Sequence, residues 1–358
     1  MTVRLRPVLE SLPAYVPGRS NPGSIKLASN ENPYGPLPHV LERMAEAAAG
    51  SNRYPDTNST ELVYALADKY GVEPGRVALG CGSVSLCQQL VLASAGAGDE
   101  VLFAWRSFEA YPIVTLIGGA TPVQVPLRAQ AHDLAAMAEA ITDRTRLIFV
   151  CNPNNPTGTV VSGSALTEFL DRVPPEILVV LDEAYREFVT DDTVVDGLSL
   201  LARYPNLIVL RTFSKAYGLA GMRVGYGIAA DPAVITAVRQ TQTPFTVTSV
   251  AQAAALASLE EVAEKQLAER VAELVAERGR VLKELRGLGY QVPESQANFV
   301  WLPDGAAADG AVDALAFAAG CEQRGLLVRA FAGSGVRITV STAAENDRLI
   351  DAARQLRG

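Results

Sequence analysis

An α/β architecture is the expectation for this chain: a large domain with a mostly parallel sheet flanked by helices, followed by a smaller α+β domain. Three observations predict it. Apolar segments such as Arg146-Leu-Ile-Phe-Val150 and Ile177-Leu-Val-Val-Leu181 do not alternate polar with apolar residues, the pattern of strands covered on both faces. Helical patterns separate them, which is the order of repeated strand–helix–strand units. The chain has 358 residues, 49% of them hydrophobic, enough for two cores rather than one.

Residues 1–36 are rich in Pro, Gly, Ser and Asn, including Leu12 to Gly18 and Ser29 to Pro36, and predict an extended arm with turns. Within it Ile25-Lys-Leu-Ala28 suits a short strand. A helix is expected over 38–49. The four-residue spacing of Leu62, Leu66 and Tyr70 gives a second, ending at Gly71. Val77 to Gly80 reads as a strand that runs into the Gly/Ser turn and helix of Cys81 to Leu90. Strands are expected at 100–103, 121–126, 146–150, 177–181, 207–210 and 224–228. Helices are expected at 133–141, 164–172 and 231–242, and Trp105 to Tyr111 opens another. Leu267, Val271, Leu274, Val275, Leu282 and Leu285 form a stripe at helix spacing, a core or connecting helix with no chemistry of its own. Strands near 298–302, 326–329 and 336–340, with helices near 310–324 and 344–356, complete the small domain. The expected division is an arm over 1–36, a large domain over 37–245 and a small domain over 246–358, with the arm packed on the small domain.

The formal net charge is −8, from 31 basic and 39 acidic residues. No Lys/Arg-rich block is present, which argues against nucleic acid or an anionic membrane as partner. Four cysteines form no Cys-x-x-Cys pair, and His39 and His132 lie far apart in sequence. Neither a metal site nor a disulfide framework is expected, and free thiols suit a reducing compartment. The N-terminus lacks the apolar core of a signal peptide. No apolar run approaches the ~20 residues of a membrane span. A cytoplasmic protein is expected.

Polar clusters follow directly on three apolar strands: Asn155 in Cys151-Asn-Pro-Asn-Asn-Pro-Thr-Gly158, Asp182 with Tyr185, and Ser214-Lys215 in Arg211-Thr-Phe-Ser-Lys-Ala-Tyr-Gly-Leu-Ala-Gly-Met-Arg223. In a parallel sheet such strand ends share one edge, where ligands bind. This lysine turn carries a hydroxyl and two guanidiniums, Arg211 and Arg223, and suits a Schiff base to a phosphorylated aldehyde. Pyridoxal phosphate has needs that this set can meet. Lys215 supplies the amine, and Asp182 keeps the pyridine nitrogen protonated. Asn155 and Tyr185 donate to the phenolic oxygen. Ser83, the Val84 amide at a helix start, Ser214 and Arg223 hold the phosphate. Phe108 covers the ring, and Arg337 offers a bidentate guanidinium to a substrate carboxylate.

These residues resemble fold-type I pyridoxal-phosphate aminotransferases, and within them the histidinol-phosphate and aromatic branch. The matching segments are Leu27 to Pro36, Arg53-Tyr-Pro-Asp56, Cys151 to Gly158, Asp182-Glu-Ala-Tyr185, Arg211 to Arg223, Ser295-Gln-Ala-Asn-Phe299 and Val336-Arg-Ile-Thr339. The resemblance implies a homodimer with active sites at the interface, where Tyr54 reaches the partner's cofactor phosphate. It also implies that Asn30 and Tyr34 join Arg337, Arg329 and Asn155 at the substrate. Two departures bear on specificity. Val84-Ser85 stand where the histidinol-phosphate pattern usually has an acidic pair, and Trp105-Arg-Ser-Phe108 where it has Pro-Thr-Tyr. Both make the pocket less polar and resemble the phenylalanine-type aminotransferases. The expectation is transamination of phenylalanine, tyrosine and tryptophan with 2-oxo acids such as phenylpyruvate and 2-oxoglutarate. The alternative is histidinol-phosphate aminotransfer, with Arg329 and Arg337 binding a substrate phosphate. Decarboxylation is a further rival. A cofactor-sensing regulator would need a DNA-binding module that the short, non-basic arm does not supply.

Overall fold

The computed structural model describes residues 21–305 and 312–357, together with 3, 4, 6–8 and 12. The turns expected over 12–18 lie, Leu12 apart, outside the described residues. So does the start of the helix expected from 310.

The first half of the chain forms β1 (Ile25–Leu27), α1 (Pro38–Ala48), α2 (Thr60–Tyr70), β2 (Val77–Gly80), α3 (Ser83–Ser94), β3 (Glu100–Trp105), α4 (Ala110–Gly118), β4 (Thr121–Pro126), α5 (Leu134–Glu139), β5 (Thr145–Cys151) and α6 (Gly163–Arg172). The second half forms β6 (Leu178–Asp182), β7 (Leu207–Thr212), β8 (Gly225–Ala229), α7 (Pro232–Thr241), α8 (Ser249–Ser258), α9 (Glu261–Gly287), β9 (Phe299–Pro303), α10 (Ala314–Glu322), β10 (Leu326–Phe331), β11 (Gly335–Thr339) and α11 (Ala343–Arg357). Local chemistry sets many of the ends. Pro38 and Pro232 open their helices at positions where no N–H partner is needed. Asp133, Ser162, Asp231, Thr248 and Asp313 accept from backbone N–H groups of the first turns they cap. Gly71 closes α2 in the left-handed conformation at φ 63°.

Seven strands form the larger sheet in the order β2-β8-β7-β6-β5-β3-β4, and a second sheet has the order β1-β10-β11-β9. In the larger sheet β3 to β7 run parallel, and β8 is antiparallel to both neighbours, β2 and β7. The connection from β7 to β8 is therefore a short return rather than a helical crossover, and that return is the lysine-bearing turn. Strand β1 of the arm pairs parallel with β10, which ties the N-terminal segment to the C-terminal sheet.

Successive side chains of the central strands serve two cores. Ile148, Val150, Val179, Leu181, Leu207 and Val209 face one. Leu147, Phe149, Val180, Ile208 and Leu210 face the other. This is why these strands read as continuous apolar runs. Each fully buried side chain of this kind contributes roughly 1.5–3 kcal/mol. A separate core joins β9, β10 and β11 to α10, α11 and the end of α9.

Three local expectations are corrected. Trp105 still belongs to β3, and the helix that was to open there begins at Ala110. Helix α8, expected in the small domain that starts at residue 246, buries Ala251, Ala254, Ala255 and Ala257 in the large sheet's core, because its small-residue face admits close packing against α1. Arg211 does not join Arg223 at the ligand edge. It shares a strand face with Leu207 and Val209, so alternation turns it away from Thr212. Its Nη2 lies 2.7 Å from Glu183 Oε2 and 2.6 Å from Asp196 Oδ1. The apolar stripe of α9 spans both units: Leu267, Val271, Leu274 and Val275 pack under Tyr185 and Phe299, and Leu282 and Leu285 enter the small core.

Replacing Arg211 with Leu leaves the Glu183 carboxylate buried without its cation. The expected loss is about 3–5 kcal/mol of unfolding free energy, read from denaturant midpoints. A loss below about 1 kcal/mol would remove this pair from the stability of the lysine turn.

Candidate active site

The carboxyl ends of β5, β6 and β7 and the start of α3 enclose a cavity of about 570 Å³, within the range of small-molecule sites. Lys215 lies three residues beyond the end of β7 and is the lysine among its lining residues. Its Nζ donates to the Ser29 carbonyl at 3.3 Å and sits 5.8 Å from the centre of the Tyr185 ring. Burial, then the charges of Arg337 and Arg223, push its pKa down to about 7, against the opposing pull of Glu31 and Asp182. Desolvation and like charge both disfavour the ammonium form. The result is an amine that is nucleophilic near neutral pH.

Asp182, the last residue of β6, is buried on the side of the sheet that carries Val180 and Leu210. Its Oδ2 accepts from the Tyr111 hydroxyl at 2.7 Å, and its Oδ1 from the Ala184 N–H at 3.2 Å. Burial raises its pKa, and the Tyr111 bond, the Ala184 bond and Lys215 oppose the rise. The sequence reading missed Tyr111. It is fully buried in α4 and stacks on Phe149 with ring centres 4.3 Å apart. Phe108 meets it edge-on at 5.5 Å and lines the cavity. The one sequence signal was the three-residue spacing from Phe108 to Tyr111, which puts both rings on one side of a helix start.

Helix α3 begins at Ser83 with no side-chain cap, so its first N–H groups lack an intrahelical partner, and Ser83 and Val84 line the cavity. Gly82 makes this possible at φ 71°, and a Cβ there would run into the Arg223 guanidinium. Gly225 is equally constrained, since its Cβ would meet the Ser83 backbone. Arg223 donates to the Ala220 carbonyl at 2.9 Å and lies 3.5 Å from Ser214 Oγ. Ser214 Oγ in turn accepts from Thr212 Oγ1 at 3.0 Å. Bare helix N–H groups, two serine hydroxyls and a guanidinium form a nest shaped for a phosphate.

The small sheet supplies the other wall. Arg337 of β11 is 8% exposed. It donates to Asn155 Oδ1 at 2.6 Å and to the Ala28 carbonyl at 2.7 Å, so two separate segments orient its guanidinium. Asn30 Nδ2 donates to the Tyr185 hydroxyl at 2.9 Å. Burial raises the pKa of Tyr185, against Arg337 and that hydrogen bond, so the phenol stays protonated. Arg329 of β10 pairs with Glu109 at 3.0 Å, and both line the cavity.

One expected residue, Tyr34, is not brought to the cavity, and Tyr54, expected at a partner's phosphate, lies away from its own. The Tyr34 hydroxyl donates to Glu273 of α9, and the Arg270 guanidinium lies 5.5 Å from its ring centre. These contacts hold it outside the lining. Tyr54 is 82% exposed and stacks on Phe245, on the protein surface. Among the described residues no group of three or more His, Cys, Asp or Glu side chains is placed to hold a metal ion. No described helix is long and apolar enough to cross a membrane.

A lysine with a lowered pKa, a buried carboxylate, a phosphate-shaped nest and an arginine on the cavity wall suit a site for amino-group chemistry on a phosphorylated aldehyde cofactor. The family model for aminotransferase class I and II matches residues 22–352. An aromatic amino acid aminotransferase of Streptomyces coelicolor is 56% identical over 359 aligned residues, covering 99% of this chain and 98% of that one. One from Rhodococcus jostii is 57% identical, covering 98% and 95%. The crystal structure of histidinol-phosphate aminotransferase from Sinorhizobium meliloti in complex with pyridoxal-5'-phosphate superposes with a TM-score of 0.88 at 29% identity, covering 100% of this chain and 98% of that one. The chain belongs to the class I and II aminotransferases. These are pyridoxal-phosphate enzymes, and the nest that Gly82 and Gly225 keep open fits the cofactor's phosphate.

In the cofactor-free protein, amine labelling of Lys215 followed by mass spectrometry is expected to rise with a midpoint near pH 7. Arg337→Met removes a neighbouring positive charge, which makes the ammonium form less costly, so the midpoint moves up. A midpoint near 10 in the unsubstituted protein would refute the cationic-pocket account.

Proposed function

We propose that this aminotransferase acts on aromatic amino acids, moving the amino group reversibly between phenylalanine, tyrosine or tryptophan and 2-oxo acids such as phenylpyruvate and 2-oxoglutarate. The observation that carries the reading is the cavity's lining: beside the polar groups it includes Val84, Phe108 and, from α4, Ile113, Val114 and Ile117, apolar surface suited to an aromatic ring. The names of the Streptomyces and Rhodococcus relatives support it.

When bound, pyridoxal phosphate supplies an aldehyde to capture the amino group and a ring that draws electrons from the substrate α-carbon. Lys215 would hold the cofactor through Nζ and, once displaced, its amine would carry the proton between the substrate α-carbon and the cofactor's aldehyde carbon. Asp182, positioned by Tyr111, keeps the pyridine nitrogen protonated. Asn155 and Tyr185 donate to the phenolic oxygen, and Asn30 orients Tyr185. Ser83, the Val84 N–H, Ser214 and Arg223 bind the phosphate, and Phe108 covers the ring. Arg337 takes the α-carboxylate of each substrate, fixing the α-carbon for proton removal.

Replacing Lys215 with Ala is expected to abolish turnover and the visible absorption band of the covalently held cofactor, and retention of both would overturn its assignment. Half-reactions followed by absorbance with phenylalanine and with histidinol phosphate test the substrate class. A response to the phosphate ester alone would sink the aromatic reading.

A homodimer is part of the same proposal. The exposed Tyr54–Phe245 stack lies outside its own cavity and suits a residue that reaches the phosphate in a second copy. Sedimentation velocity is expected to give a dimer, and a monomer with full activity would exclude this role for Tyr54. Four unpaired cysteines, three of them buried, suit a reducing cytoplasm.

A further inference from the structure

Phe331, at the end of β10, is surrounded by three guanidiniums. Those of Arg106, Arg329 and Arg337 lie 5.3, 5.6 and 5.8 Å from its ring centre. Arg106 donates through Nε to Ser334 Oγ at 3.1 Å, stacks over Trp105 and does not line the cavity. Arg337 is committed to Asn155 and the Ala28 carbonyl. Of the three, Arg329 is the other that lines the cavity, and Glu109 lies on it at 3.0 Å. Glu31 and Asp182 are the other carboxylates of the lining. Glu31 is paired with Lys26 at 2.9 Å, and Asp182 is bound by Tyr111.

Glu109 directly follows Phe108 and sits at the N-cap of α4, where the helix dipole favours a negative charge. The carboxylate therefore comes from the large domain without capping the helix, and Arg329 reaches it from the small sheet. We propose, resting on the aromatic reading above, that Glu109 is a specificity-determining residue: it occupies Arg329 and so sets the charge of the substrate's side-chain subsite. An uncharged aromatic ring enters along the apolar surface and leaves the ion pair intact. A substrate with a phosphate on its side chain must either displace Glu109 from Arg329 or sit beside an unneutralised carboxylate, and like-charge contact of this kind is a device for rejecting a partner.

The test is the Glu109→Gln holoenzyme, which keeps side-chain shape and removes the charge. The reading is the ratio of kcat/KM for histidinol phosphate to kcat/KM for phenylalanine, in wild type and variant. The ratio is expected to rise about tenfold or more, the scale of one charge-assisted contact. The gain is expected mainly in KM for the phosphate ester, and adding Arg329→Leu to the variant cancels it. A ratio that moves less than twofold, or a gain that survives Arg329→Leu, overturns the role of Glu109. A wild-type enzyme that already prefers the phosphate ester overturns the aromatic reading and this inference together. A wild type that prefers phenylalanine with an unshifted variant overturns the inference alone.

Discussion

The site depends on the two-residue period of a β-strand at the ends of β6 and β7. Asp182 and Thr212 fall on the face that looks into the cavity, and Glu183 and Arg211 fall on the opposite face. One residue of slip would exchange them and put an ion pair into the cavity. The apolar runs behind these ends hold the register, because each strand is clamped between two cores and neither tolerates a shift. The sheet therefore decides which carboxylate of Asp182-Glu183 faces the cavity and which braces the loop.

The reactive lysine is held by the same framework. Between β7 and its antiparallel neighbour β8 the chain must turn back within a dozen residues. That return is braced from outside by Arg211 with Glu183 and from inside by Ser214 and Arg223. Lys215 is half-buried and feels the charges of Arg337 and Arg223, so desolvation and like charge act together on its amine. A single lysine at a solvated loop would remain an ammonium ion. Here the fold brings the small sheet's arginine to the large sheet's lysine, and the two units become one site.

Much of this was legible in sequence. The strand–helix order, the polar clusters that follow β5, β6 and β7 and the glycine-flanked start of α3 are local features, each with a local physical cause. Tyr111 was not legible as a site residue, because an apolar ring in a helix start looks like any core aromatic until its hydroxyl is seen on Asp182. Arg211 was misplaced for the complementary reason. A basic residue beside a lysine turn reads as a ligand-edge cation, and only the strand's face assignment removes it. Tyr34 lies in a segment that matches the family, yet its hydroxyl goes to Glu273 of α9, a partner more than two hundred residues away that no local pattern announces.

The sequence by itself determined the chemistry. The order of apolar runs prescribes a sheet covered on both faces, and the residues that punctuate the strand ends prescribe a lysine, a carboxylate and a phosphate nest on one edge. Tertiary structure decided the pairings. Tyr111 with Asp182, Arg337 with Asn155 and Glu109 with Arg329 join residues 71, 182 and 220 positions apart. The charge and protonation of each group depend on which partner and how much water it meets. Those are properties of packing, and a one-dimensional pattern carries no distance between segments so far apart.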